Sequence, residues 1–562
     1  MNCVRCRSKD FPDIMIQNVP CLVTDISIEQ WPLLNYIQSP TGFRNCKFVN
    51  ELGSEVIDVH DVSQGCKVAM EIAHFASELH LGKSLYAKDW HLFQMCSTRL
   101  YKTPEPFRDD WLNWYWRNCR KNDDDYRFVY IGGRGTKTYV HHDVICSFSW
   151  SMNIQGRKRW YLWSPADVSR LYSPHHHVLV ADARPGQYDA NTFPFVADTR
   201  PVIVEQEVGE AMFVPSGWYH MVENLGMDSG CGDGGNGSTC DRNGSDGSET
   251  DGNSPVIAGD ADITVSLNHN WINGYNVYES WRFLLRELCN VRREIWNFAP
   301  SVLQRAGGGV DAVDESMLME EGEWYRHCEL LLRANAAMGV VEFLRMVCAR
   351  MFVLVAVKEG REGRGGEAGG IAGQCSSMCE RLLSCLQVNV SDLLNQGAAA
   401  AGCNGKNSES DEDESVLDLL CSHSVSAPPE YATNFLSCVL SCGGDRITGF
   451  SNSVADILIP LTSRWPVHTL DDNGTEKPRS VTGLQYVCRQ VLAILDEVMQ
   501  SALVKIHIAY AIDGHHKACR KSTGDDDAYT ERGDRNDVHV VIAEVEGGLT
   551  SFKSALETLL YI

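Results

Sequence analysis

A chain of 562 residues, 44% of them hydrophobic, is long enough to bury a sizeable core and to hold two domains separated by polar inserts. Its formal net charge of -24 argues against unaided binding to DNA or RNA backbones, which call for a basic face, and no run of about 18 apolar residues suggests a membrane span. The N-terminus, MNCVRCRSKD, lacks the apolar core of a secretory leader, so the 22 cysteines of the chain read as reduced thiols of a cytoplasmic or nuclear protein.

In chain order, residues 1–10 are expected to be a disordered tail. Its Cys3-Val-Arg-Cys6 lacks a second pair at zinc-finger spacing and is not read as a zinc site. From Phe11 to Lys121 short strands and helices alternate. Val19–Val23 is an apolar entry, and Cys66–Leu81 reads as an amphipathic helix. The aromatic run from Trp111 to Trp116 reads as a packed helix rather than a base-stacking platform. Asp123 to Asp125 reads as a solvated turn, after which Tyr126–Ile131 alternates as a strand.

The densest chemistry lies between Thr138 and Trp160, TYVHHDVICSFSWSMNIQGRKRW. Side chains two apart on a strand share a face, so His141 and Asp143 aim at one point while His142 aims away. Beyond them Cys146, Phe148, Trp150, Met152 and Ile154 form an apolar face. Ser147, Ser149, Ser151 and Asn153 form a polar one, of the same parity as His141 and Asp143 if no bulge intervenes. A small-polar inside with an apolar outside describes a strand lining a polar cavity. Farther on, a strand at Ala211–Val214 and a Pro-Ser-Gly turn lead to Trp218-Tyr219-His220, a source for a third ligand. Two His and one carboxylate on one face of a metal form the facial triad of non-haem Fe(II) oxygenases.

The catalytic region is interrupted at Gly226–Gly259, a Gly-, Ser-, Asp- and Asn-rich insert expected to be disordered, before a strand at Asp262–Leu267. It lacks the EF-hand pattern of a calcium site. Helical spacing then returns at Tyr278–Asn297 and at Trp324–Val357, with a break at Gly339, and again near Ser376–Leu394, Tyr431–Cys442 and Thr482–Val504. Linkers are expected near 360–373, 396–414, 471–479 and 514–537. The last carries His515, His516 and Cys519, read as a flexible loop rather than a metal site.

The words GRKRW, FVPSGWYH and SLNHNW resemble the JmjC family of 2-oxoglutarate-dependent dioxygenases. With KDWHL at Lys88, DWLN at Asp110, DDYRFVYIG at Asp124, FSWS at Phe148, NHNWING at Asn268 and WRFL at Trp281, the chain is similar to a narrower branch. That branch hydroxylates a lysine of the eukaryotic translation termination factor, and the likeness runs from Val19 to Asn335. It implies a double-stranded β-helix (a cupin or jelly-roll JmjC barrel) with flanking helices over residues 11–300; with the mostly helical region that the spacing itself suggests over 301–562, the fold class is α+β. It also implies Fe(II) on His141, Asp143 and His220, with O2 and 2-oxoglutarate as co-substrates. Lys158 would hold the far carboxylate of 2-oxoglutarate, assisted by Thr138, Asn268 and Ser151. The implied reaction is lysyl hydroxylation of a protein, the termination factor. Demethylation of N-methyl-lysine on a histone tail is the alternative, and an inactive scaffold a further one.

Overall fold

The computed structural model describes residues 3–39, 42–95, 100–119, 125–226, 262–299, 321–348, 350–351, 464–470, 476–501, 507–508, 550 and 553. The chain divides into two compact units. The first comprises Met1–Pro104, Arg127–His142 and Ser149–His269; the second comprises Glu105–Tyr126, Asp143–Phe148 and Asn270–Ile562. The division does not fall near residue 300: Glu105–Tyr126 and the chain from Asn270 onward belong together in the second unit.

The strands are β1 (Val4–Cys6), β2 (Cys21–Val23), β3 (Val56–Asp61), β4 (Cys66–Glu71), β5 (Leu85–Trp90), β6 (Arg127–Gly133), β7 (Lys137–His141) and β8 (Phe148–Gln155). They continue with β9 (Lys158–Trp163), β10 (Val202–Gln206), β11 (Ala211–Val214), β12 (Tyr219–Asn224) and β13 (Ile263–Trp271). Nine form one sheet in the order β1-β2-β11-β8-β13-β6-β5-β3-β4, and four form a second in the order β10-β9-β12-β7. Apart from the parallel β1–β2 pair, the registers are antiparallel. This is the jelly-roll architecture of a cupin-like domain with flanking helices.

Strand parity explains the sandwich. Leu22, Met212 and Val214 of the large sheet meet Trp160, Leu162, Val202 and Val222 of the small sheet in one buried cluster. The opposite face of the small sheet (Val140, Trp163, Tyr219 and Met221) is covered by Leu171, Val180 and Val196 from the long crossover between β9 and β10. On the outer face of the large sheet Phe11 stands edge-on to Phe213 at 5.0 Å. Both faces of β8 are therefore buried.

Several expectations are corrected. The first ten residues are not a free tail: Val4–Cys6 pairs with Cys21–Val23, and Cys6 is buried with its Sγ 3.6 Å from that of Cys21. Cys66–Leu81 is not one helix. Cys66–Glu71 is β4, paired to β3, and the helix Ile72–His80 begins where Ile72, Phe75, Ala76 and Leu79 set up the 3.6-residue period. The stretch from Thr138 to Trp160 is not one strand either. A turn at Val144–Cys146, with Ile145 at φ 49° and Cys146 at φ 54°, separates β7 from β8 and sends them into different sheets. Asp125 is buried rather than solvated. Glu476–Thr482, expected to lie partly in a linker, pairs as a strand with Arg464–Leu470.

Among the described residues, the longer helices of the second unit are Trp111–Cys119, Val277–Glu294, Glu321–Ala336, 340–348 and Gly483–Gln500, with the break near Gly339 as expected. Asn113 ties its segments together: its Nδ2 donates to Asp110 Oδ2 (2.6 Å) and to the Asn270 carbonyl (2.9 Å), and its Oδ1 accepts from the Tyr126 amide (2.8 Å). No helix of the described residues is long and apolar enough to cross a membrane. The insert beyond Gly226, the expected linkers 360–373, 396–414 and 514–537, the expected helices near 376–394 and 431–442, and His515, His516 and Cys519 lie outside the described residues.

Candidate active site

On the small sheet, β12 lies between β9 and β7, and its even-numbered residues face the interior. His220 is paired with His141 of β7 and Leu162 of β9; Val222 with Thr138 and Trp160; Asn224 with Lys158. Between the first two β7 pairs the register slips. Three steps on β7, from Thr138 to His141, span two on β12, from His220 to Val222. That bulge puts Thr138 and His141 on one face although their spacing is odd. The imidazole rings of His141 and His220 lie 4.2 Å apart, centroid to centroid.

Asp143 follows β7 in extended backbone, two residues beyond His141. Ligand atoms of His141, Asp143 and His220 all lie within 4.8 Å of one another, and this is the one such metal-capable group among the described residues. The tautomers suit ligation. His141 Nδ1 is 2.8 Å from the Tyr139 carbonyl and His220 Nδ1 is 3.4 Å from that of Trp218. With Nδ1–H donated to a carbonyl, each Nε2 keeps its lone pair for a metal. Two imidazoles and one carboxylate fit ferrous iron. His142 points the other way, its ring 5.0 Å from that of Tyr219 on the outer face.

Lys158 opens β9 and is 2% exposed, not a turn lysine in solvent. Burial pushes its ammonium down to about 7. Among the described residues it has no carboxylate partner. Its Nζ lies 5.3 Å from the Tyr130 ring centroid and 5.9 Å from that of Trp160. A buried cation bounded by aromatic faces and lacking a counter-ion fits a dicarboxylate. The flanking arginines face away, both paired to Glu205: Arg157 Nη1 at 3.1 Å and Arg159 Nη2 at 2.5 Å.

Thr138 Oγ1 is 3.3 Å from the Tyr86 hydroxyl, and Ser151 Oγ donates to Asn268 Oδ1 at 2.7 Å. The four expected co-substrate residues are thus on inward-facing strands, Thr138 and Lys158 on the small sheet, Ser151 and Asn268 on the large. Ser266, on the same face of β13 as Asn268, has a buried Oγ with no hydrogen-bond partner among the described residues. Sequence reasoning missed Tyr86, Tyr130 and Asn224. Asn224 follows from period two counted on from His220; Tyr86 and Tyr130 become visible only through the β5–β6 and β6–β13 registers.

A family model for a cupin-like domain matches residues 8–275. The chain is 30% identical over 350 residues to the 2-oxoglutarate and iron-dependent oxygenase JMJD4 of Gallus gallus, covering 59% of this chain and 69% of the relative. To the zebrafish (Danio rerio) protein of that name it is 29% identical over 357 residues, 60% of this chain and 70% of the relative. It is also 29% identical over 306 residues to the arginine-specific demethylase JMJ20 of Arabidopsis thaliana, 50% of this chain and 58% of the relative. Iron and 2-oxoglutarate, named in the first two relatives, are the pair that the clustered His141, Asp143 and His220 and the buried Lys158 fit. The chain belongs to the JMJD4 family of JmjC 2-oxoglutarate and iron-dependent oxygenases.

Proposed function

We propose that the chain hydroxylates a lysine side chain of a protein, the translation termination factor, with His141, Asp143 and His220 as iron ligands. The observation that carries the catalytic part is the closeness of those three donor sets to one another, in a barrel whose wall also holds a buried lysine with no carboxylate partner among the described residues. With iron and O2 bound there, 2-oxoglutarate becomes succinate and CO2 while a substrate C–H becomes C–OH.

The chain's own residues supply position and charge. Lys158 takes the far carboxylate of 2-oxoglutarate, and the ion pair forms away from water, where it is least screened. Thr138, two strands away on β7, and the Tyr86 hydroxyl of the facing sheet meet each other and offer hydroxyls to the same carboxylate. Ser151 and Asn268, hydrogen-bonded to each other, line the facing wall. The carbonyls of Tyr139 and Trp218 hold the two imidazoles in one tautomer and fix their approach. The substrate is the finer part of the reading and rests on the sequence words shared with the lysyl-hydroxylating branch.

A second reading, N-methyl demethylation, is favoured by the likeness to a relative named as an arginine-specific demethylase. It uses the same step on a methyl carbon, whose hydroxylated product then leaves as formaldehyde. Incubating the purified protein with Fe(II), 2-oxoglutarate and either the termination factor or methylated histone peptides separates them. A lysine heavier by one oxygen supports hydroxylation; a residue lighter by one methylene, with formaldehyde released, supports the second reading. Succinate formation that depends on neither substrate would overturn both.

A further inference from the structure

The edge of the active-site wall holds a carboxylate that the reaction described so far does not use. In the β5–β6 ladder Tyr86 pairs with Gly132 and Ala87 with Ile131, but the next pair is Trp90 with Val129. Two residues, Lys88 and Asp89, therefore face a single one, Tyr130. Asp89 adopts φ 55°, the left-handed region that Asp tolerates better than most residues. A bulge that holds a non-glycine residue there re-aims a side chain at some cost in backbone energy. The re-aimed carboxylate receives the Tyr130 hydroxyl at 2.5 Å. The ring of that tyrosine in turn lies under Lys158 Nζ at 5.3 Å and beside Tyr86 at 6.1 Å, whose hydroxyl meets Thr138.

We propose that Asp89 is a positioning residue for 2-oxoglutarate: it fixes Tyr130, and Tyr130 holds the ammonium of Lys158 where the far carboxylate arrives. Two effects run through the one hydrogen bond. Anchoring the hydroxyl stops the ring from swinging away, so less order is lost when the ligand binds. Donating to a carboxylate also shifts electron density onto the phenol, which strengthens the attraction between the ring face and the ammonium. The strained backbone at Asp89 is then part of the binding site although the residue never touches the ligand. The inference rests on the assignment of Lys158 to 2-oxoglutarate, and the test separates the two.

Binding of 2-oxoglutarate to the full-length, Mn(II)-loaded protein is measured by calorimetry without oxygen, alongside thermal melts. Asp89→Gly, which relaxes the left-handed backbone and removes the acceptor, and Tyr130→Phe, which keeps the ring but removes the donor, should each weaken binding about three- to tenfold. Their combination should weaken it no more than the worse single change, because both break one contact. Asp89→Asn keeps an acceptor oxygen and the left-handed preference and should restore affinity to within about twofold of the parent. Mn(II) affinity should be the same throughout. In a Lys158→Ala background, where binding is already weakened about 30-fold or more, Asp89→Gly should have no further effect. Parental 2-oxoglutarate affinity in Asp89→Gly and Tyr130→Phe, with Lys158→Ala still impaired, would overturn the role of Asp89 and leave that of Lys158 standing. Parental affinity in Lys158→Ala would overturn both.

Discussion

His141, His142 and Asp143 are consecutive, yet backbone alternation gives them different work. His142 packs against Tyr219 on the outer face, while its neighbours join His220. Asp143→Ala removes a proposed ligand and should lower Fe(II) or Mn(II) affinity by more than about 100-fold, beyond what loss of a mere supporting contact costs. His142→Ala should leave the bound-metal stoichiometry intact; metal analysis of both dialysed variants checks this, and the reverse result would mean the strand register is wrong. Lys158 makes a prediction in pH. With its ammonium pushed down to about 7, the lysine is mostly neutral above that pH in the ligand-free protein. In the proposed role the dicarboxylate needs it charged, so binding takes up a proton. Affinity for 2-oxoglutarate should be flat below pH 7 and fall towards tenfold per pH unit above it, as about 1.4 kcal/mol per decade requires. The same depressed value means that the ligand-free fold gains stability as pH rises from about 7 towards the ordinary lysine range, because the unfolded chain then binds the extra proton. Calorimetry between pH 6.5 and 8.5 in the Mn(II)-loaded protein, where the three ligands are held by metal, reads the slope. Lys158→Arg, charged throughout, should abolish it, and a flat parent curve would remove this lysine from the site.

At the scale of elements, the site depends on where strands approach too closely for any side chain. A Cβ on Gly132 would lie 2.6 Å from Tyr86 Cδ2 and from Thr136 Oγ1, and 2.8 Å from Asn224 Nδ2. Gly132→Ala should therefore destabilise the first unit by about 1–3 kcal/mol, as overpacking does, and weaken 2-oxoglutarate binding by moving Tyr86. A urea titration with the same calorimetric assay checks both, and a fully parental variant would show that β5 and β12 can part without consequence. Glycine in the word YIGG is visible in the sequence; its crowding is not, because it comes from two strands far apart in the chain. The same limit governs the rest. The jelly-roll and the grouping of His141, Asp143 and His220 were legible because period-two alternation and word order are local properties. The two bulges, at Tyr139–Val140 and Lys88–Asp89, were not, since an extra residue is defined only against its partner strand. Nor was β1: three residues acquire strand geometry only because Cys21–Val23 offers an edge to pair with. The reading of Cys66–Leu81 as one helix failed for a related reason, since β4 alternates too weakly to announce itself without β3.

At the scale of the whole molecule, one carboxylate in the second unit clasps two of its helices together. Glu497, on the helix Gly483–Gln500, accepts from Tyr278 at 2.7 Å, from Trp281 Nε1 at 2.9 Å and from Arg282 at 2.8 Å, all three on the helix Val277–Glu294. Trp281 is fully buried and also packs on Phe343 at 5.8 Å, so the clasp joins the helix Gly483–Gln500 to the helices that follow the strands. Burial pushes the Glu497 carboxyl up, but the hydrogen bonds from Tyr278, Arg282 and Trp281 outweigh it and hold it below the ordinary glutamate range. A carboxylate with a lowered value stabilises the fold fully above its unfolded value and loses that contribution as pH falls through the folded one. Glu497→Ala leaves the indole N–H buried and unpaired, and should cost about 1–3 kcal/mol near neutral pH. Glu497→Gln retains an acceptor and should cost less. The gap between parent and Glu497→Gln should shrink as the solution is acidified through the glutamate range, and a gap that persists unchanged in acid would show that packing, not charge, holds these helices together. Calorimetric melting of the three proteins from neutral to acidic pH measures it. Iron and 2-oxoglutarate affinity should be the same in all three, since the clasp touches none of the residues that line the site.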